Sequence, residues 1–199
     1  MPVVSGLRAA GHGRVLVELD GASWRTVPSD VVVEVGLAVG SELDRPQLRV
    51  LRRALRRHEA LARAAEALRH REQSAARLRE RLERRVAPAA AAEALAALGR
   101  AGLVEDGRYA RARAASLARR GLGDAAIRFE LERDGVGAGD ADCALEELPA
   151  ERERAVEIVR RRGGGVGTAR FLHRRGFSEE TLETVLGSDI APDERSAVP

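Results

Sequence analysis

Residues 107–136 read GRYARARAASLARRGLGDAAIRFELERDGV and set seven arginines among alanines and a single tyrosine. On a helical wheel Tyr109, Ala110, Ala114 and Leu117 share one side, the spacing of a helix with one buried face. Arg108, Arg111 and Arg119 form one flank, and Arg113 and Arg120 border the apolar side from the other. Arg113 falls inside the apolar arc, so it must snorkel or contact a partner. Gly121 ends this helix. Asp124 can cap the next one, where Ile127 and Leu131 stand four apart, and Gly135 ends it. GDADCALEEL then offers Ala141, Ala144, Leu145 and Leu148 as a third apolar face.

The same spacing recurs. Leu131 is followed by Gly135, Val136 and Leu145; Leu172 is followed at the same offsets by Gly176, Phe177 and Leu186. Matching basic breaks precede them, ARRGLG at 118–123 and VRRRGGGVG at 159–167. A poorer copy, Leu82, Val86 and Leu95, has no glycine and one residue fewer. The expected fold is therefore mainly α, with tandem three-helix repeats over 44–104, 105–149 and 150–187. Such units stack side by side, so an elongated, curved molecule with arginines along one ridge is expected. Residues 188–199, SDIAPDERSAVP, read as a disordered tail and 1–12 as a loose N-terminus.

Between them, GRVLVELDGASWRTV alternates apolar residues around Asp20-Gly21, a β-hairpin signal. Trp24 is expected to cover the hairpin's apolar face. PSDVVVEVG is β-branched, but Ser29 or Asp30 as cap and Gly36 as stop favour a short helix. Two strands and one helix over 13–43 are too small to stand alone. They should dock on the next helix, which carries Leu48, Leu51, Leu55, Leu61 and Leu68 and has a strongly basic polar side.

Composition limits function. Of 199 residues, 44% are apolar but only 3% aromatic, which suits thin helical units with small cores. All 34 basic residues are arginine, whose planar fork binds phosphate and carboxylate; a genomic bias would give the same excess. The net charge is +3, but residues 41–58 carry six arginines against two acids, and 105–149 seven against ten. The lone Cys143 excludes an internal disulfide framework and is expected as a buried inert thiol. No run approaches the ~18 apolar residues of a membrane span, and the N-terminus is too short and polar for a secretion signal. A cytoplasmic location with no membrane contact is expected. His12, His58, His70 and His173 are scattered, with no metal-ligand spacing. RRRGGGVGTARF lacks the Gly-Lys-Ser/Thr of a phosphate loop and reads as a flexible linker. Asp106 beside Glu105 can cap the helix it opens. No catalytic constellation, metal set or cofactor is expected. The arginine clusters, Arg119–Arg120 and Arg160–Arg161–Arg162, stay open to two readings. They are a solvated face, or a surface for a phosphate backbone or a charged partner.

GLVEDGRYARARAASLARRGLGDAAIRFELERDGV resembles the central motif of the RecX regulatory proteins. The matching positions are Asp106, Tyr109, Ala110, Gly121, Gly123, Ile127, Leu131, Gly135 and Val136. RFLHRRGFSEETLETVL is similar to the family's C-terminal repeat through Arg174, Arg175, Gly176, Phe177 and Leu186, and the LDG hairpin to that of longer members. The resemblance spans about 13–187. It departs in the first repeat, which lacks its glycine, and at Phe129, which lies off the Ile127/Leu131 face as an exposed contact or a packing residue. It implies a non-enzymatic monomer that binds the RecA–single-stranded DNA filament and most often inhibits it, in recombination, repair and the SOS response. Single-stranded DNA could be touched directly. The candidate contacts with acidic protein surface or phosphates are Arg111, Arg113, Arg119 and Arg120 in the middle unit, with Arg160, Arg161, Arg162, Arg170, Arg174 and Arg175 in the last.

Overall fold

The computed structural model describes residues 1–187. It divides into two compact units, one of residues 1–72 and 78–103, the other of 73–77 and 104 onward.

The first unit opens with an antiparallel sheet of β1 (Val4–Ala9), β2 (Arg14–Leu19) and β3 (Ala22–Pro28) in sequence order. Asp20 and Gly21 take positive φ at the β2–β3 turn, the geometry that joins twisted strands through two residues. Residues 4–9 are thus not loose. Val4 is fully buried, and a Val3 amide bond to Asp20 Oδ1 (2.9 Å) pins the strand's start to the turn. The short alternating stretch around Ser5 and Gly6, with a bulge between Val4 and Gly6, hides this strand from a period-two reading. Trp24 is also not a cover for the sheet. Val17 pairs with Arg25 and Glu18 with Ser23, so Trp24 is the extra residue of a bulge and is 40% exposed.

Val17 and Val27 instead face α1 (Ser29–Glu34) and the front of α2 (Arg45–His70), in a core that includes Val31, Leu43, Leu51 and Ala54. The hairpin and short helix dock on α2 as their size requires. Asp44 and Gln47 close a reciprocal capping box at the start of α2, at 2.7 and 3.1 Å. The back of α2 packs through Ala60 on Ala90 and Ala94 of α4 (Pro88–Arg100). Small side chains at both surfaces let those helices approach closely. Between them lies α3 (Ala75–Glu83), whose residues through Arg77 group with the second unit.

The second unit holds two helical triplets: α5 (Asp106–Arg119), α6 (Asp124–Arg133) and α7 (Ala138–Glu146), then α8 (Glu151–Arg162), α9 (Val166–Arg174) and α10 (Glu179–Leu186). Each has its own small core, Ala110, Ala114, Leu117, Ile127 and Leu131 in one, Ala155, Ile158, Leu172 and Phe177 in the other. The shared offsets correspond to a shared helix ending. The Val136 amide donates to the Leu131 carbonyl (3.0 Å) and the Phe177 amide to that of Leu172 (3.2 Å), across Gly135 and Gly176 at positive φ. The shorter copy ends without glycine, through a Val86 amide to Leu82 carbonyl bond of 2.9 Å, which accounts for its missing residue.

Successive triplets are joined in the same way twice. The start of α3 meets the end of α6: Ser74 Oγ donates to the Asp134 carbonyl, and the Ala75 amide donates to Asp106 Oδ1 (2.7 Å). The start of α6 meets the end of α9: the Gly123 amide donates to the Arg175 carbonyl (2.9 Å), and the Asp124 amide to Glu151 Oε1 (2.7 Å). In both, an acid on the first residue of the following triplet caps the middle helix of the preceding one. Asp106 and Asp124 therefore do not cap their own helices; neither α5 nor α6 has a side-chain cap at its N-cap residue. Cys143, expected to be buried, is exposed on α7, because Ala141 and Ala144 occupy the inward positions.

Gly123 is required by proximity rather than by dihedral. Its φ is −80°, but a Cβ there would collide with the backbone of Gly176 and Phe177. Gly123→Ala should destabilise the second unit by roughly 1–3 kcal/mol. Gly137→Ala, with φ −67° and open space around it, should be neutral or slightly stabilising. Urea unfolding of the two variants checks this; equal midpoints would contradict it.

Candidate partner-binding surface

The ten arginines proposed as contacts fall into two groups. Arg113 is committed inside the bundle. Its Nε bonds Asp134 Oδ2 (3.2 Å) and its Nη2 bonds Glu130 Oε2 (3.1 Å). It neither snorkels nor waits for a partner, because the buried Asp134 needs it. Tyr109 packs on the same core, and its hydroxyl donates to Asp134 Oδ2 (2.8 Å). Arg77 adds a further pair of bonds to Oδ1, at 2.9 and 3.1 Å.

Arg162 and Arg175 are also engaged. Both guanidinium groups lie over the Phe171 ring, at 4.1 and 5.1 Å from its centre. Arg175 Nη1 donates to the Arg120 carbonyl (3.0 Å), which brings the end of α5 to the end of α9. Arg161 folds back on Glu157 of its own helix. Arg111 lies loosely between Glu105 and Glu147, 3.8 Å from each.

Arg119, Arg120, Arg160, Arg170 and Arg174 remain. Their side chains are exposed, and none has a carboxylate within ion-pairing distance among the described residues. Arg119–Arg120 and Arg160 lie at the C-terminal ends of α5 and α8, the first helices of successive triplets. Phe129 is 62% exposed on α6, so it does not pack within its unit.

Sequence reasoning missed the carboxylates that hold this surface in place. Burial pushes the Asp134 carboxyl up, but the Tyr109 and Arg77 hydrogen bonds and the Arg113 charge outweigh it and leave its pKa below the usual value. Glu151 behaves alike. Burial raises it, and bonds from the Ser178 hydroxyl, the Asp124 and Ser178 amides and Thr181 bring it below normal. Asp124 is pushed the other way, by burial and the Glu151 charge against the opposing pull of Arg154. Arg154, nearly buried, pairs with Asp124 and donates to the Leu122 carbonyl (2.8 Å). Asp124 and Glu151 are visible in the sequence as first-turn residues and Asp134 as the residue that ends α6, but not the groups that each reaches.

Among the described residues no group of three or more His, Cys, Asp or Glu side chains is placed to hold a metal ion. His58 Nδ1 instead meets Asp30 (2.9 Å), and His70 Nε2 meets Glu66 (3.1 Å). The glycines before α9 form a short connection, Gly163–Gly165, closed by Thr168 Oγ1 donating to the Gly163 carbonyl (2.8 Å). No described helix is long and apolar enough to cross a membrane.

Known proteins are similar to this chain in sequence and fold. The family model described as RecX, second three-helix domain, matches residues 106–145. The regulatory protein RecX of Halorhodospira halophila is 32% identical over 111 residues, covering 51% of this chain and 69% of that one. RecX of Acidithiobacillus ferrooxidans is 34% identical over 113 residues, covering 50% and 72%. The chain belongs to the RecX regulatory protein family. A crystal structure of regulatory protein RecX superimposes with a TM-score of 0.80 over 93% of this chain and 98% of that one, at 23% identity. RecX from Lactobacillus salivarius gives 0.59, at 16% identity, over 67% of this chain and 96% of that one. These two structures share the fold. The family match falls on the triplet built around Asp134, whose arginine-bearing helix α5 lies within it.

The lowered carboxyls fix the pH response of the second unit. In the unfolded chain Glu151 and Asp134 regain their ordinary values, 4.5 and 3.8. Between folded and unfolded values the unfolded chain binds more protons, so their stabilisation is present above the ordinary values and lost as pH falls below them. Glu151→Gln should lower the unfolding free energy read from urea titration at neutral pH by roughly 0.5–2 kcal/mol for a lost cap, and flatten its decline below the ordinary carboxyl range. A wild-type acid slope in that variant would contradict this assignment.

Proposed function

We propose that this protein binds the RecA–single-stranded DNA filament and restrains its ATPase and strand exchange. Membership of a family of regulatory proteins supports a modulator rather than an enzyme. The observation that carries the site is the set of exposed arginines left without acids at the ends of α5 and α8 and on α9, Arg119, Arg120, Arg160, Arg170 and Arg174. A helix C-terminus favours a nearby cation by about 0.3–1 kcal/mol. That accounts for one cation at each end, not for two consecutive arginines ending α5 and three ending α8.

In this reading the five free arginines meet the acidic surface or phosphates of the filament, with Arg111 recruited from its weak pairing. Arg113, Arg162 and Arg175 hold the framework behind them, and Arg161 needs only to leave Glu157 to join. The protein would act in the cytoplasm as a monomer without cofactor, through the occupied surface alone.

RecA ATPase on single-stranded DNA should fall when the protein is added at stoichiometric dose; an unchanged rate would overturn the proposal. Arg119→Glu with Arg120→Glu should abolish the effect while the helical circular dichroism is kept. Full activity in that variant would remove both residues from the contact.

A further inference from the structure

The first unit carries a second set of unpaired arginines, which the proposed function does not use. Arg45, Arg49, Arg52 and Arg56 recur along the front of α2 at helical spacing, within a 60° arc at about 100° per residue. All four are exposed, and none has a carboxylate partner among the described residues. Arg14 and Arg25, on β2 and β3, face the same helix. With Arg52 and Arg56 they line a cleft of about 560 Å³. Arg14 makes only a long bond, 3.4 Å, to the Thr26 carbonyl. A second depression, about 440 Å³, lies on the other side of the ridge between α2 and the start of α4, and Arg49, Arg52 and Arg56 line it too.

This stripe works against the helix that bears it. Beyond the capping Asp44, whose carboxylate is bonded to the Gln47 amide, the first turn of α2 has no acid, and Arg45 sits at the positive end of the helix dipole. Arg45, Arg49, Arg52 and Arg56 are each three or four residues from the next, where like charges repel. The back half of the same helix is balanced: Glu59 holds Arg63, and Glu66 holds Arg69 and His70. The acids nearest the cleft are engaged, Glu59 by Arg63 and Asp30 by His58 at 2.9 Å. Arg53, off the stripe, is neutralised by Glu93 at 2.8 Å. One face of one half-helix is thus left charged, beside two more arginines on β2 and β3.

We infer that the α2 stripe, with Arg14 of β2 and Arg25 of β3, forms a binding site for the phosphodiester backbone of a single-stranded nucleic acid. Successive arginines along the stripe are about 5–6 Å apart, so they meet a run of regularly spaced anions rather than one ion. Planar guanidinium forks suit phosphate oxygens. Trp24, raised by its bulge and next in the chain to Arg25, offers an exposed ring on which an unpaired base can stack. A duplex has no base free for it. The site shares no residue with the α5 and α8 arginines and needs no recombinase, so it stands or falls independently of the proposed function.

The test uses the full chain and an oligothymidylate longer than the stripe, followed by anisotropy and by the fluorescence of the sole tryptophan. Binding should quench Trp24. Its affinity should fall with salt, with a log–log slope of about −0.7 for each phosphate neutralised. Changing Arg49, Arg52 and Arg56 to Gln should weaken binding about tenfold or more, reduce that slope by about 2, and remove the quenching. Changing Arg119, Arg120 and Arg174 to Gln should leave the quenching intact. Wild-type affinity and slope in the stripe variant, with its circular dichroism unchanged, would overturn the site. Equal competition by duplex would overturn the single-strand assignment, and equal competition by polyglutamate would overturn recognition of phosphate.

Discussion

The second unit depends on carboxylates that cap helices belonging to the neighbouring triplet. The first amides of a helix have no partner within it, and burying them unsatisfied is costly. Here α3 and α6 both begin against the end of another helix, where their first amides are partly buried. Asp106 meets the first need and Glu151 the second. An anion suits the place twice over, since it accepts a charge-assisted bond and faces the positive end of the helix dipole. Glu151 also reaches α10, accepting from the Ser178 amide (3.1 Å), the Ser178 hydroxyl (2.6 Å) and Thr181 Oγ1 (2.8 Å). One carboxylate thereby fixes two helix starts, and the close approach at Gly123 is a consequence of that fixed geometry.

This framework decides which arginines are available. Arg77 and Arg113 neutralise Asp134, Arg154 neutralises Asp124, and Arg162 and Arg175 enclose Phe171. Removing one of these would expose a buried charge or leave a polar group unmatched, so a loss of binding in such a variant would report on folding. Arg119 and Arg120 differ because nothing inside the unit needs their guanidinium groups. The Arg120 carbonyl is nevertheless held by Arg175, so a free side chain is mounted on a constrained backbone. That combination presents charge without a large ordering cost on binding.

What the sequence disclosed and what it withheld divide along a physical line. The Leu131-Gly135-Val136 and Leu172-Gly176-Phe177 endings are local, because the bond that closes each spans five residues. Their signature is therefore written in adjacent letters. The Asp20-Gly21 hairpin is local for the same reason. Asp106 bonding Ala75 and Glu151 bonding Asp124 cross 31 and 27 positions, and no spacing rule carries that distance. The local rule even misdirects there, since an acid in a first turn reads as a cap for its own helix. At Trp24 a single inserted residue reverses the side that strict alternation assigns. Arg113 is anomalous on the helical wheel, but only the fold supplies Asp134 and Glu130 as the explanation.

The two halves of α2 are held in different ways. If charge pairing held that helix together, its front half would be the weaker. Instead the front half is anchored by Leu51 and Ala54, buried against the sheet, with Leu48 and Leu55 beside them. Burying a leucine gains about 1.5–3 kcal/mol, whereas an exposed i, i+4 charge pair changes stability by about 0.2–0.5 kcal/mol. Packing therefore tolerates four mutually repelling arginines at modest cost. The small sheet acquires a purpose beyond covering apolar residues: it stiffens the segment of helix where charge is left unbalanced. A well-packed region of the first unit thus carries an unbalanced surface, the arrangement expected where a rigid face is kept charged for a ligand.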